Sequence, residues 1–173
     1  MFIDTVIDEN IILTNTALNL ESNLPYRSTG SLINLINDLK ERQNNRLSYL
    51  PVIWLVNDFE ETDGKATDYF NLLYTNVKLY FIYPNSNRVL NHEKRKTTNF
   101  EPNIEPYVNS FKKMFYFNKY FAGDVLSFES EIKTTYRANF AQYMLNSDAV
   151  FQNTDAIQLT FKTLEVNTLE NCI

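Results

Sequence analysis

The chain has 173 residues, 44% of them hydrophobic and 21% charged, with a formal net charge of −5. That length supports one domain burying about two thirds of its unfolded surface, and the mildly acidic balance makes the chain a poor candidate for sequence-independent binding of nucleic acid, which needs a basic surface. A single Cys, a single His and 3 Gly exclude an internal disulfide, a multi-cysteine metal site and a Gly-rich catalytic loop.

Residues 2–20 alternate apolar and polar without a firm period. Phe2, Val6, Ile11 and Ile12 suggest a short helix, which Thr14-Asn15-Thr16 should break. Residues 1–27 are therefore read as an N-terminal arm that orders against a neighbour. Ser28, Thr29 and Ser31 are candidate N-caps for a helix. Leu32, Ile33, Leu35, Ile36 and Leu39 recur at helical spacing, with Asn34, Asn37, Asp38 and Lys40 opposite. The helix should end near residues 43–45.

Residues 51–56 are β-rich and apolar on both faces, as in a central strand covered above and below. A polar loop at 57–64 leads to a strand over 73–83. There Leu73, Val77, Leu79, Phe81 and Tyr83 face one way and Asn76, Lys78 and Tyr80 the other. At roughly 3.4 Å per residue it extends about 35 Å, enough to project beyond the domain. A basic connector, 88–96, precedes a helix opened by Pro106. Ile104, Val108, Phe111 and Phe115 form its apolar stripe, and Tyr116, Phe117, Tyr120 and Phe121 extend it. Residues 126–137 alternate as a strand, with Leu126, Phe128, Ile132 and Tyr136 on one face and Ser127, Glu129, Glu131, Lys133 and Arg137 on the other. Residues 138–146, with Phe140, Tyr143 and Met144, fit a helical turn or a loop, and 149–151 fit a short strand. The last strand, 155–166, turns Ile157, Leu159 and Phe161 inward and Gln158, Thr160 and Lys162 outward. Residues 167–173 read as a tail.

The expected class is α+β: a four-stranded, mostly antiparallel sheet with two helices packed on one face, within a single domain over 28–166. With 13 Phe and 11 Tyr, its core should be aromatic-rich. Asn makes up about one residue in eight, and with abundant Ile, Lys, Tyr and Phe this points to an AT-rich genome.

Chemistry-bearing residues are sparse. His92 has no second His, Cys or ordered acid cluster nearby in sequence, so a surface imidazole is the expectation rather than a general base or metal ligand. Cys172 lies one residue from the end of the sequence. The acidic stretch Asp58, Glu60, Glu61 and Asp63 invites a calcium reading, but the sixth position is Asp63 rather than Gly and the twelfth is Tyr69 rather than Glu. A solvated loop or an electrostatic contact fits better. The basic cluster Arg88, Lys94, Arg95 and Lys96 reads either as a solvated connector or as a contact for phosphates or an acidic partner. Basic and acidic segments together suit head-to-tail contacts between subunits. Glu129, Glu131, Lys133 and Arg137 make a candidate polar sheet face. No catalytic residue, cofactor or metal is expected, and the chain is not read as an enzyme.

Residues 76–84, the segment 99–107 with its helix, and residues 153–161 together resemble small virion proteins of tailed phages. The likeness is to tail-terminator, tail-completion or head–tail connector proteins, and the Asn-rich composition is similar to that of crAss-like phages of Bacteroidetes. It spans 28–166 as an element order. The resemblance implies a structural subunit of a ring of six or twelve copies at the neck or tail of the virion. Such a ring continues the DNA channel, docks neighbouring neck or tail proteins and lets DNA pass without sequence-specific binding. A mildly acidic wall suits that passage, since like charge prevents sticking. The alternative is a small, non-enzymatic α+β ligand-binding module with an aromatic pocket ringed by Phe115, Tyr120, Phe128 and Tyr136. Met1-Phe2-Ile3-Asp4 lacks a signal-peptide pattern and no apolar run approaches a span of ~20 residues. Synthesis in the host cytoplasm, without membrane association, is the expectation.

Overall fold

Two long strands rich in β-branched and aromatic residues form the spine: β4 (Asn71–Pro84) and β6 (Thr154–Asn167). They pair antiparallel over their full length, from Asn71 opposite Asn167 to Pro84 opposite Thr154. The computed structural model describes residues 2–22, 24–44, 51–63, 71–84, 92–123, 125–137 and 154–168. Around the spine the sheet runs β1-β2-β4-β6-β5, with β3 also on β4. The added strands are β1 (Tyr26–Gly30), β2 (Val52–Val56), β3 (Glu60–Asp63) and β5 (Ile132–Arg137). β1 is parallel to β2 and the other pairs are antiparallel.

The class is α+β, but the expected four-stranded sheet with two helices on one face is corrected. The described strands make a mixed six-stranded sheet, with helices on both faces. Two short strands account for the difference. Residues 26–30 carry Ser28, Thr29 and Gly30 and read as a cap, yet they lie in register with buried β2, and Trp54 Nε1 donates to the Gly30 carbonyl at 3.2 Å. β3 is acidic and wholly exposed, a composition that hides its pairing with residues 72–75 of β4. Of the candidate caps, Ser31 is used: its Oγ accepts from the Asn34 amide at 3.2 Å. It opens α2 (Leu32–Asn44).

β2 is buried on both faces, as its apolar run implies. Ile53 and Leu55 enter the larger core, while Val52, Trp54 and Val56 meet Leu35 of α2 in a smaller one. On the larger face lie α1 (Phe2–Ala17), a short helix α3 (His92–Arg95), a π-helix (Lys96–Ile104), α4 (Glu105–Met114), a 3₁₀ turn (Phe115–Phe117) and α5 (Val125–Glu131).

The helix expected to break at Thr14 instead runs to Ala17. Thr14 and Thr16 return their hydroxyls to the carbonyls four residues back, of Asn10 at 2.7 Å and Ile12 at 2.9 Å. Ile3, Val6, Ile7, Asn10, Ile11 and Thr14 form its buried side. Two of these are polar, so the apolar period is masked. Asn10 Nδ2 donates to the Phe111 carbonyl at 2.7 Å, and Asn118 Nδ2 to the Val6 carbonyl at 2.8 Å, which satisfies buried polar groups and ties α1 to α4 and to the residue that ends the 3₁₀ turn.

The long strand also departs from simple alternation. Leu72 and Tyr74 face the larger core, then Val77, Leu79, Phe81 and Tyr83 do. Asn76, at φ 60°, takes up the change of phase, so Leu73 falls on the opposite side from the one expected. Asn tolerates this left-handed conformation better than most residues. Opposite it, Asn57, Asp58 and Phe59 face Asn76 and Val77, a β-bulge joining β2 to β3. β6 changes phase at the same level, from Phe161 to Leu164, so the β4–β6 register is kept. Residues 126–131 belong to α5, not to a strand. Phe128 and Ile132 are four apart, a spacing that suits helix and strand alike, and Ser130 interrupts the apolar alternation.

Candidate functional site

The basic segment is divided by the fold. Arg95 ends α3 and points inward, 2% exposed, so it is not available to a neighbouring subunit as expected. Its Nη1 donates to Asp155 Oδ1 at 2.6 Å, and Asn99 Nδ2 donates to Oδ2 at 2.8 Å. Asp155 is fully buried at the start of β6. Asn103 Nδ2 reaches Asn99 Oδ1 at 3.1 Å and extends the network along the π-helix. Pro102 sits inside that helix and has no N–H to give. Asn103 Nδ2 stands 3.4 Å from the Thr98 carbonyl, the acceptor that an α-helical N–H at 102 would have used. Lys94 and Lys96 are exposed, and Lys96 Nζ lies 3.7 Å from Glu101. Arg88, the His92 side chain, residues 138–151 and Cys172 lie outside the described residues.

The acidic segment is strung along an edge. Lys78 Nζ donates to Asp58 Oδ2 at 2.6 Å across the bulge. Glu60, Glu61 and Asp63 are exposed on β3, where successive side chains alternate between faces and do not converge. Glu61 stands beside the Tyr74 hydroxyl. Burial first, and then the nearby Glu61 carboxylate, holds that hydroxyl well above the usual tyrosine range. Among the described residues no group of three or more His, Cys, Asp or Glu is placed to hold a metal ion.

The candidate polar face is likewise split between two elements. Lys133 and Arg137 lie on β5, with Arg137 Nη2 donating to Gln158 Oε1 at 3.2 Å. Glu129 and Glu131 lie on α5. Glu131 accepts from the Thr163 hydroxyl, and Glu129 is hydrogen-bonded to Tyr116, raising that phenol's pKa.

The ring of aromatics expected to enclose a pocket is packed solid. Phe115 is fully buried, and the rings of Phe111, Phe121, Phe128 and Phe161 surround it at centroid distances of 5.1 to 5.8 Å. Tyr120 meets Phe2 edge-on, and half-exposed Tyr136 meets Phe100. These are edge-to-face contacts of an ordinary aromatic core.

A cavity does exist, elsewhere. It is half-open, holds about 660 Å³ and lies where α1 ends near β2, the end of β4 and the start of α4. Phe81, Tyr83 and Tyr107 line it with Ile104, Leu18 and Glu21. The Tyr107 hydroxyl donates to Asn15 Oδ1 at 2.9 Å, which holds that ring in place. Its lining comes from widely separated segments, so no local motif announces it.

No protein-family model matches the chain, and comparison with curated proteins and with solved structures gives no match. Among the described residues no helix is long and apolar enough to cross a membrane.

Proposed function

We propose that the chain is a non-enzymatic structural subunit of a phage virion, forming a ring of six or twelve copies at the head–tail connector or tail terminator. The ring continues the DNA channel and docks the adjoining neck or tail proteins. The observation that supports this reading is the placement of exposed apolar side chains. Phe117 is 70% exposed and Tyr116 37%, both in the layer over the larger core, while Ile33 of α2 is 70% exposed in the layer over the smaller one. A ring needs a heterologous interface, in which two different patches of one subunit meet head to tail. Apolar patches in opposite layers suit that geometry, and each contact must bury on the order of 1,000 Å² or more.

The test uses two one-sided variants, Ile33→Glu and Phe117→Glu. Each alone loses every contact and runs as a monomer. Mixed, each retains the patch the other needs, and they form a one-to-one dimer that cannot grow. Rings that survive both substitutions, or a mixture that stays monomeric, would remove these patches from the interface.

A further inference from the structure

We propose that the cavity at the end of α1 binds an organic cation, an ammonium or guanidinium group carried on an apolar stem. Among the described residues lining it, Glu21 is the one charged side chain, and no Lys or Arg is present. The helix adds to this field. α1 ends at the cavity, its last turn carries no basic residue, and Leu18 follows directly in the wall. The negative end of the helix dipole therefore supplements the Glu21 carboxylate. No basic side chain among the described lining residues offsets that field for an anion.

The remaining wall fits the stem. Phe81, Tyr83 and Tyr107 supply aromatic surface, and Ile104 and Leu18 supply aliphatic surface. Aromatic faces attract a cation through the ring quadrupole. Tyr107 is held by Asn15 through its hydroxyl, which leaves its ring as fixed surface rather than a mobile plug. Phe81 and Tyr107 stand with centroids 6.1 Å apart and planes tilted by 49°, so they form a corner and not a closed stack. A volume of about 660 Å³ lies within the range of sites for small organic molecules. The group can belong to a free amine or to a Lys or Arg side chain of a neighbouring chain. The proposal does not depend on ring formation.

Calorimetric titration with phenethylammonium and with its neutral counterpart 2-phenylethanol tests it. The ammonium is expected to bind saturably, and the alcohol at least about fivefold more weakly. Glu21→Gln, an exposed position that leaves the core intact, is expected to weaken the ammonium by about two- to fivefold, the worth of an exposed ion pair, and to leave the alcohol unchanged. Light scattering on the same samples separates the two sources. If saturating phenethylammonium and Glu21→Gln both lower the mass of an assembly, a neighbouring chain supplies the cation; an unchanged mass assigns the site to a free amine. Equal affinity for amine and alcohol, no saturable binding, or indifference to Glu21→Gln would overturn the proposal.

Discussion

Removing the carboxylate of Asp155 should unfold the protein far more readily than its place at the start of a strand suggests. Asp155 is fully buried and accepts from Arg95 at 2.6 Å and Asn99 at 2.8 Å. Asp155→Ala leaves the Arg95 guanidinium, 2% exposed, facing a hole where its counter-charge stood. Breaking a buried pair from one side costs about 3–5 kcal/mol, because the remaining charge stays desolvated after losing that counter-charge. For a chain of this length 1 kcal/mol moves the melting temperature by about 2–4 °C, so a fall of roughly 6–20 °C is expected. Arg95→Met should fall in the same range. The double variant should cost much less than the sum, since a buried pair replaced by apolar groups is often close to neutral. Urea unfolding followed by circular dichroism gives all four corners of the cycle. Additive losses, or a cost below about 1 kcal/mol for Asp155→Ala, would mean that Arg95 escapes to water and that the buried pair does not hold the start of β6 to the π-helix layer.

Asn76→Val places a β-branched residue at φ 60° and should destabilise by about 1–2 kcal/mol, whereas Asn76→Gly should be close to neutral; urea midpoints compare them. Gly30→Ala should lose about 1–3 kcal/mol by the same measure, since its φ is +154° and a Cβ there would lie 3.1 Å from both Asn34 and Trp54. Burial raises the phenols of Tyr74 and Tyr107, with Glu61 adding to the shift at Tyr74. The folded state holds these protons more tightly than the unfolded one. Their contribution is complete below the ordinary tyrosine value of about 10 and is lost as pH rises from there toward the folded values. Tyr74→Phe should therefore flatten the loss of stability above pH ~10 in a series of unfolding curves, and an unchanged alkaline slope would contradict the assignment.

Legibility in the sequence followed how uniquely each segment matched one period. The second half of β4, β6 and α4 were readable because their apolar residues match one template only, as Ile157, Leu159 and Phe161 do, and β2 because it is a short, β-rich apolar run. α1 was legible only as a short helix ending at Thr14, because Asn10 and Thr14 sit on its buried side and satisfy themselves through backbone carbonyls, so inward residues look polar. α5 passed for strand because Phe128 and Ile132 are spaced for either structure. β1 and β3 are short, polar or exposed, and only the neighbours they pair with make them strands. Position 76 could not be foreseen either, since the left-handed Asn is required by the bulge opposite it. The site residues show the same limit. Arg95 looked like one charge in a solvated run, because its partner lies at Asp155, sixty residues away. The cavity combines residues from the end of α1, β2, β4 and α4, which no spacing rule connects.

Assembly is read out by the mass of the purified chain in solution, by light scattering across a concentration series with negative-stain imaging of the same samples. Closed rings of six or twelve subunits are expected, either alone at high concentration or on addition of the adjoining neck or tail protein. A single-subunit mass under both conditions, with no rings on the grid, would contradict ring assembly.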